Sequence, residues 1–156
     1  MIEIIIPGFK NLQIDHVVCD YNGTLAVDGE LLPGVRDLLV TLSSSVDIHV
    51  ITADTFGLAK AQLSGLPTAL KIISLDNQSE EKLEFISKLG SDTVFAVGNG
   101  MNDRKMLASA AVGIALIQKE GSSSATVTSA DIVSSNIIDA LNLLLNPKRL
   151  IATLRS

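Results

Sequence analysis

The chain predicts an α/β protein: a three-layer α/β/α sandwich on a mainly parallel, Rossmann-like sheet. Three observations point there. Apolar runs of strand length alternate with segments whose apolar residues recur at helical spacing, along most of the 156 residues. Several runs end on a polar residue followed by a glycine turn, as at Asp20-Tyr21-Asn22-Gly23 and Gly98-Asn99-Gly100. The apolar content is 47% and almost wholly aliphatic, with no Trp, one Tyr and four Phe, which suits strands buried on both faces.

Taken in order, residues 2–6 (Ile-Glu-Ile-Ile-Ile) read as a strand stopped by Pro7-Gly8. Residues 15–20 form a second, with His16-Val17-Val18-Cys19 leading to Asp20. Thr24 to Leu32 carries Asp28-Gly29 between short apolar pieces, the signature of a small hairpin. Pro33 opens a helix to about Ser44, with Val35, Leu38, Leu39 and Leu42 on one side. Val46 to Thr52 alternates and then turns wholly apolar, as a strand entering a sheet interior does. The rhythm continues with a helix over 56–64, a strand over 68–73, a helix over 79–89 and a strand from Thr93 to Val97. A helix over 102–110, a strand from Gly113 to Ile117, a helix over 122–129 and a short strand Asp131-Ile132-Val133 follow. A helix over 136–145 ends at Asn146-Pro147, and Lys148 to Leu154 forms a short last one.

This length reads as a single domain, 1–156, with enough chain for a real core. A net charge of −5 argues against nucleic acid, which needs a basic footprint. Cys19 is the only cysteine, so no internal disulfide can form. The start Met1-Ile2-Glu3 lacks the basic, long-apolar pattern of a signal peptide, and no apolar run approaches a membrane span. A cytoplasmic location away from membranes is therefore expected. The mean hydropathy of +0.40 and the apolar tail Leu150 to Leu154 are compatible with a homo-oligomer.

In an open parallel sheet, ligands bind beyond the C-terminal strand ends. Asp20, Thr52 and the loop Gly98 to Asp103 all fall at such ends. A carboxylate there, followed by a tight glycine turn and a hydroxyl, can act as a nucleophile; a carboxylate merely capping the turn is the plainer alternative. The run from Gly98 to Asp103 is not a dinucleotide fingerprint, because the third glycine is absent at the required spacing. Asp54 fits a helix cap better than a catalytic group. His16 and His49 lie within strands and read as structural, while Cys19 points away from Asp20's face because strand neighbours alternate. Arg104 and Lys105 read as surface at least as well as anion contacts, and Lys119, Glu120 and Gly121 are weaker candidates.

Together Asp20-Tyr21-Asn22-Gly23-Thr24, Thr52, Lys82 and Gly98-Asn99-Gly100-Met101-Asn102-Asp103 resemble, in order, the four motifs of the haloacid dehalogenase (HAD) superfamily. The stretch from Lys82 to Ile117 resembles the phosphorylation domain of P-type ATPases most closely, and the last motif is similar to their Gly-Asp-Gly-x-Asn-Asp. Asp20 and Thr52 are too close in sequence for a nucleotide domain or a cap between them, so the resemblance is to a free-standing, capless "soluble P-type ATPase-like" hydrolase and not to a pump.

That resemblance implies a Mg²⁺-dependent phosphohydrolase acting on a phosphomonoester through an aspartyl-phosphate at Asp20. Thr52, with the amide of Ala53, would hold phosphoryl oxygens; Lys82 would neutralise their charge; Asn102 would complete the substrate site. Asp20, the Asn22 carbonyl, Asn99 and Asp103 would hold the metal. Two residues depart from the pattern. Asn22 stands where phosphatases carry the acid that protonates the leaving group, and Asn99 stands for the first Asp of the last motif. General acid–base help is worth roughly 10²–10⁴-fold, so slow turnover is expected. The partner would be a small phosphorylated metabolite or a phosphoprotein. The alternative is an attenuated or inactive member that binds phosphate, metal or a partner protein. Both Asn residues precede Gly, the context most prone to deamidation.

Overall fold

The computed structural model describes residues 1–156. Its centre is a six-stranded sheet in the order β10-β9-β8-β3-β6-β7, every neighbouring pair parallel. The strands are β3 (His16–Asp20), β6 (Asp47–Thr52), β7 (Ala69–Ile72), β8 (Val94–Gly98), β9 (Val112–Leu116) and β10 (Ile132–Ser134). From β3 the chain builds outward through β6 and β7, then returns to the other side of β3 as β8. The switch point thus lies between β3 and β8, where Asp20 and Gly98 end their strands.

Alternation along the strands divides the core in two. Val17, Cys19, Val50, Phe95 and Val97 face one side; Val18, Ile51, Val94 and Ala96 face the other. The first side is covered by α1 (Val35–Ser43), α2 (Leu58–Leu63), α6 (Ile137–Leu145) and α7 (Pro147–Leu154), through Leu39, Leu42, Leu63, Leu141 and Leu150. The second is covered by α3 (Gln78–Leu89), α4 (Arg104–Ser109) and α5 (Ser124–Ser129), through Ile86, Met106 and Leu107. Each such fully buried side chain contributes about 1.5–3 kcal/mol, so the aliphatic composition is sufficient without aromatic bulk. This is the expected three-layer sandwich, and no cap is inserted in it.

Two small antiparallel pairs lie outside the main sheet. The Asp28-Gly29 hairpin is present as β4 (Ala26–Val27) and β5 (Glu30–Leu31), with both turn residues at positive φ, 51° and 84°. That is the type I′ geometry whose twist matches the flanking strands. The other pair brings in a strand beyond those expected from the sequence: β1 (Ile2–Ile5) pairs with β2 (Asn11–Ile14), and Leu12 and Ile14 are buried while Asn11 and Gln13 are exposed. Helix boundaries shift modestly; α2 begins at Leu58, not 56.

At the far side of the sheet, His16 Nδ1 lies 3.1 Å from His49 Nε2, and the His49 ring meets Phe85 edge-on. Burial, with His16 beside it, pushes the His49 pKa down. Both residues are strand packing, remote from Asp20's end of the sheet.

Close packing of α4 on β9 depends on Gly113. A Cβ there would lie 2.1 Å from the Leu107 carbonyl oxygen, so backbone would have to move. Gly113→Ala is expected to destabilise the fold by about 2–3 kcal/mol, read as a lower urea midpoint with unchanged slope.

Candidate active site

The end of β3 delivers Asp20, and the next residues fold back on the Tyr21 carbonyl, which accepts from the amides of Thr24, Leu25 and Ala26. Gly23, at φ +83°, is required here: a Cβ would fall 2.5 Å from the Asn99 amide nitrogen. The two loops are thereby locked edge to edge. Gly98 does the same at the end of β8, where a Cβ would lie 2.4 Å from the Asp103 carboxyl carbon.

Lys82 is the hub. It projects from α3, is 1% exposed, and donates to three oxygens: Asp20 Oδ1 at 2.9 Å, Asn102 Oδ1 at 2.8 Å and Asp103 Oδ1 at 2.7 Å. With both carboxyls ionised, the cluster of two carboxylates and one ammonium carries one net negative charge. Burial by itself would lower the Lys82 pKa; the two carboxylates together outweigh it and hold the ammonium above the usual lysine range. Asp20 is pushed up to about 7, first by burial and then by Asp103, with Lys82 pulling the other way. Burial also pushes the Cys19 thiol up, and no thiolate forms there.

The linkage sign follows from that shift. A carboxyl whose folded pKa is raised costs the fold stability as pH rises from about 4 to 7. Asp20→Asn is therefore expected to stabilise the metal-free protein by roughly 1–3 kcal/mol at pH 8, fading to nothing near pH 4. Thermal melts of the two proteins across that range check it.

Asp20, Asn22, Thr52, Ala53, Asn99 and Asn102 all line one cleft of about 360 Å³. Thr52 ends β6, and its hydroxyl accepts from the Asp54 amide at 3.3 Å. Asp54, at φ 41°, accepts from the amides of Ala59 and Lys60 at 2.8 and 3.2 Å, so it caps α2. The Asn22 side chain accepts from the Gly29 amide at 3.1 Å and so ties down the hairpin tip; the Tyr21 hydroxyl holds the same residue by donating to its carbonyl at 2.7 Å. Asn99 donates to the Gly121 carbonyl at 3.1 Å and directs its amide oxygen toward Thr24, 3.5 Å away.

Asp103, assigned to the metal by the resemblance, lies inside its own loop and is not among the residues lining the cleft. It is 0% exposed; Oδ1 takes Lys82, and Oδ2 takes the amides of Asn99 and Gly100, each at 3.0 Å. The carboxylate closes its own loop from within, because the short helical turn after Gly100 aims it back at those two amides. Arg104 and Lys105 turn onto α3, to Ser79 and Glu80.

Two participants, Gln78 and Gln118, carried no signal in the sequence. Gln78 accepts from Asn102 at 3.0 Å and so orients the residue that holds Lys82. Gln118 donates to the carbonyls of Gly23 and Thr24 and accepts from the Ile137 amide, bracing the Asp20 loop. Thr24, fully buried, reaches Asp20 Oδ2 at 3.4 Å. Neutral polar residues acting over long sequence distances leave no local pattern; only Thr24 lay within a recognisable motif.

No three His, Cys, Asp or Glu side chains are grouped to hold a metal by themselves. Of the residues that the resemblance assigns to the metal, those lining the cleft offer Asp20 Oδ2, the Asn99 amide oxygen and the Asn22 carbonyl, which accepts no bond within the chain. These are hard donors with a single charge among them. They fit Mg²⁺, which tolerates few protein ligands when water and a substrate phosphate fill the octahedron, and they predict weak binding without phosphate.

No family model matches the chain. An uncharacterized protein of Methanocaldococcus jannaschii is 45% identical over 78 residues, 47% of this chain and 84% of that protein. Among solved structures, a 3-deoxy-D-manno-octulosonate 8-phosphate phosphatase of Moraxella catarrhalis, crystallised with magnesium, phosphate and the sugar acid, superposes with a TM-score of 0.66. Its identity is 19%, covering 91% of this chain and 94% of the enzyme. A zinc-transporting PIB-type ATPase superposes at 0.64 with 23% identity, over 78% of this chain and 20% of the pump. The chain therefore belongs with the Methanocaldococcus protein in one family, and its own fold is that of the capless haloacid dehalogenase structures.

Proposed function

We propose that the chain is a metal-dependent phosphomonoesterase that works through a covalent phosphoryl-Asp20 intermediate. The observation that carries this is the division of labour on Asp20, which lines the cleft: Oδ1 is held by buried Lys82, while Oδ2 takes a long contact from Thr24. Support comes from the phosphatase named among the structural neighbours and from its bound magnesium and phosphate.

Asp20 Oδ2 attacks phosphorus, and the ester P–O bond breaks. The leaving alkoxide takes its proton from water, because an amide at Asn22 supplies none. Water then attacks the phosphoryl-Asp20, releasing phosphate and restoring the carboxylate. Lys82 and the Thr52 hydroxyl stabilise the charge that builds on the phosphoryl oxygens. Mg²⁺, held by Asp20, the Asn22 carbonyl and Asn99, would supply further neutralisation of those oxygens.

The test uses fresh, mass-verified protein with p-nitrophenyl phosphate, with and without Mg²⁺, beside Asp20→Asn. Metal-dependent turnover absent from the variant is expected, with one phosphoryl group visible on the protein by intact mass during turnover. Equal rates in both proteins would reject the reading. The two Asn residues favour a second reading, an attenuated protein that retains phosphate without releasing it at a useful rate.

A further inference from the structure

We propose that the cleft selects phosphomonoesters whose leaving alcohol is neutral or carries an amine, and disfavours those bearing a carboxylate or second phosphate. This rests on the phosphomonoesterase reading and goes beyond it, to the half of the substrate that Asp20 does not touch.

The charge on the cleft wall carries the inference. Three of its lining residues are carboxylates, Asp20, Asp54 and Glu120; none is Lys or Arg. The cations nearby are placed elsewhere. Lys82 lies beneath the floor, 1% exposed and committed to Asp20, Asp103 and Asn102. Arg104 and Lys105 are bonded onto α3, and Lys119 lies outside the lining. The phosphoryl group is thus served from below, by a lysine that the leaving group cannot reach.

Asp20 is occupied with phosphorus, so the leaving group meets Asp54 and Glu120. Asp54 is fixed by two amides of α2. Glu120 is exposed and takes part in no ion pair. Beside them, Phe56 is 87% exposed and Leu58 is 48% exposed at the same cleft. An uncovered aromatic ring next to carboxylates suits the apolar face of a sugar or a protonated amine. It gives a carboxylate or second phosphate nothing to bind. A unit charge about 7 Å from one carboxylate in partly screened surroundings feels a field worth roughly 3–10-fold in affinity. The effect weakens with added salt.

Three six-carbon 6-phosphates that vary the charge test this: glucosamine 6-phosphate, glucose 6-phosphate and the open-chain acid 6-phosphogluconate, with Glu120→Lys separating charge from ring shape. Binding is read by NMR shift titration at low salt with Mg²⁺, in the Asp20→Asn background, so that no turnover is needed. Inorganic phosphate serves as reference. The expected order of affinity is amine, then neutral, then acid, with roughly 3–10-fold between neighbours. Glu120→Lys should reverse the order. Phe56→Ala should weaken the hexose esters and leave inorganic phosphate unchanged. Binding of 6-phosphogluconate equal to or tighter than glucose 6-phosphate overturns the proposal, as does an order indifferent to Glu120→Lys. Loss of p-nitrophenyl phosphate turnover in the wild type would sink the enzyme reading alone, since the binding order is measured independently of it.

Discussion

Replacing Lys82 with Met is expected to remove activity by at least about 10²–10³-fold and to destabilise the fold by about 3–5 kcal/mol. Both effects come from the same three bonds. Without the ammonium, Asp20 and Asp103 face each other in a buried site with no countercharge, and Asn102 loses the donor its oxygen accepts. Asp20, already raised to about 7, would climb further and carry a proton at neutral pH, which removes the nucleophile. The damage to stability should grow with pH, because the raised Asp20 pKa costs most where that carboxyl is ionised in the unfolded chain. It should shrink toward pH 4, where the Asp20 carboxyl begins to take up its proton in the unfolded chain as well. Thermal melts across that range, set beside single-turnover rates, separate the two effects. The double variant Lys82→Met with Asp103→Asn should recover much of the stability and none of the rate. If it recovers the rate as well, Lys82 is only a counterion for Asp103.

The fold was legible because apolar runs end where the strands end. Asp20, Thr52 and Gly98 close three adjacent parallel strands, and the run lengths alone place them at one edge. β2 was not legible: Asn11-Leu12-Gln13-Ile14 offers two apolar residues in alternation, too short to tell from a loop until β1 pairs with it. Among the site residues, Lys82 stood out because the stretch it opens resembles the phosphorylation domain of P-type ATPases, and the structure places it against Asp20. The direction in which Asp103 faces was not legible. A carboxylate three residues after Gly100 can point at a cleft or back at its own loop, and only the tight turn and the arrival of Lys82 from α3 decide it. Gln78 and Gln118 illustrate the same limit, since their partners lie 24 and 95 residues away.

Restoring the two missing carboxylates is expected to raise turnover of p-nitrophenyl phosphate by roughly 10²-fold or more, with the two substitutions acting through different terms. Asn22→Asp should raise kcat. Its side chain already lines the cleft and accepts from the Gly29 amide, a bond that a carboxylate can keep, so the hairpin stays in place. The new acid would protonate the leaving oxygen and then draw a proton from the attacking water, the two tasks that an amide cannot perform. Phosphoryl-Asp20 should then cease to accumulate. Asn99→Asp should act on the metal. It exchanges an N–H donor to the Gly121 carbonyl for an oxygen that repels it, at a cost of about 1–3 kcal/mol in chelator. Added Mg²⁺ should reverse that cost, because a second charge joins Asp20 at the same cleft. Melts in chelator and in Mg²⁺ read this without any assay of turnover. Asn22-Gly23 and Asn99-Gly100 can deamidate to the same aspartates on storage, so the unaltered protein must be confirmed by mass for each comparison. A double variant that is stable, binds Mg²⁺ and still turns over no faster would place the slow step away from proton transfer. In that case the natural asparagines do not limit the chemistry, and the attenuated reading loses its physical basis.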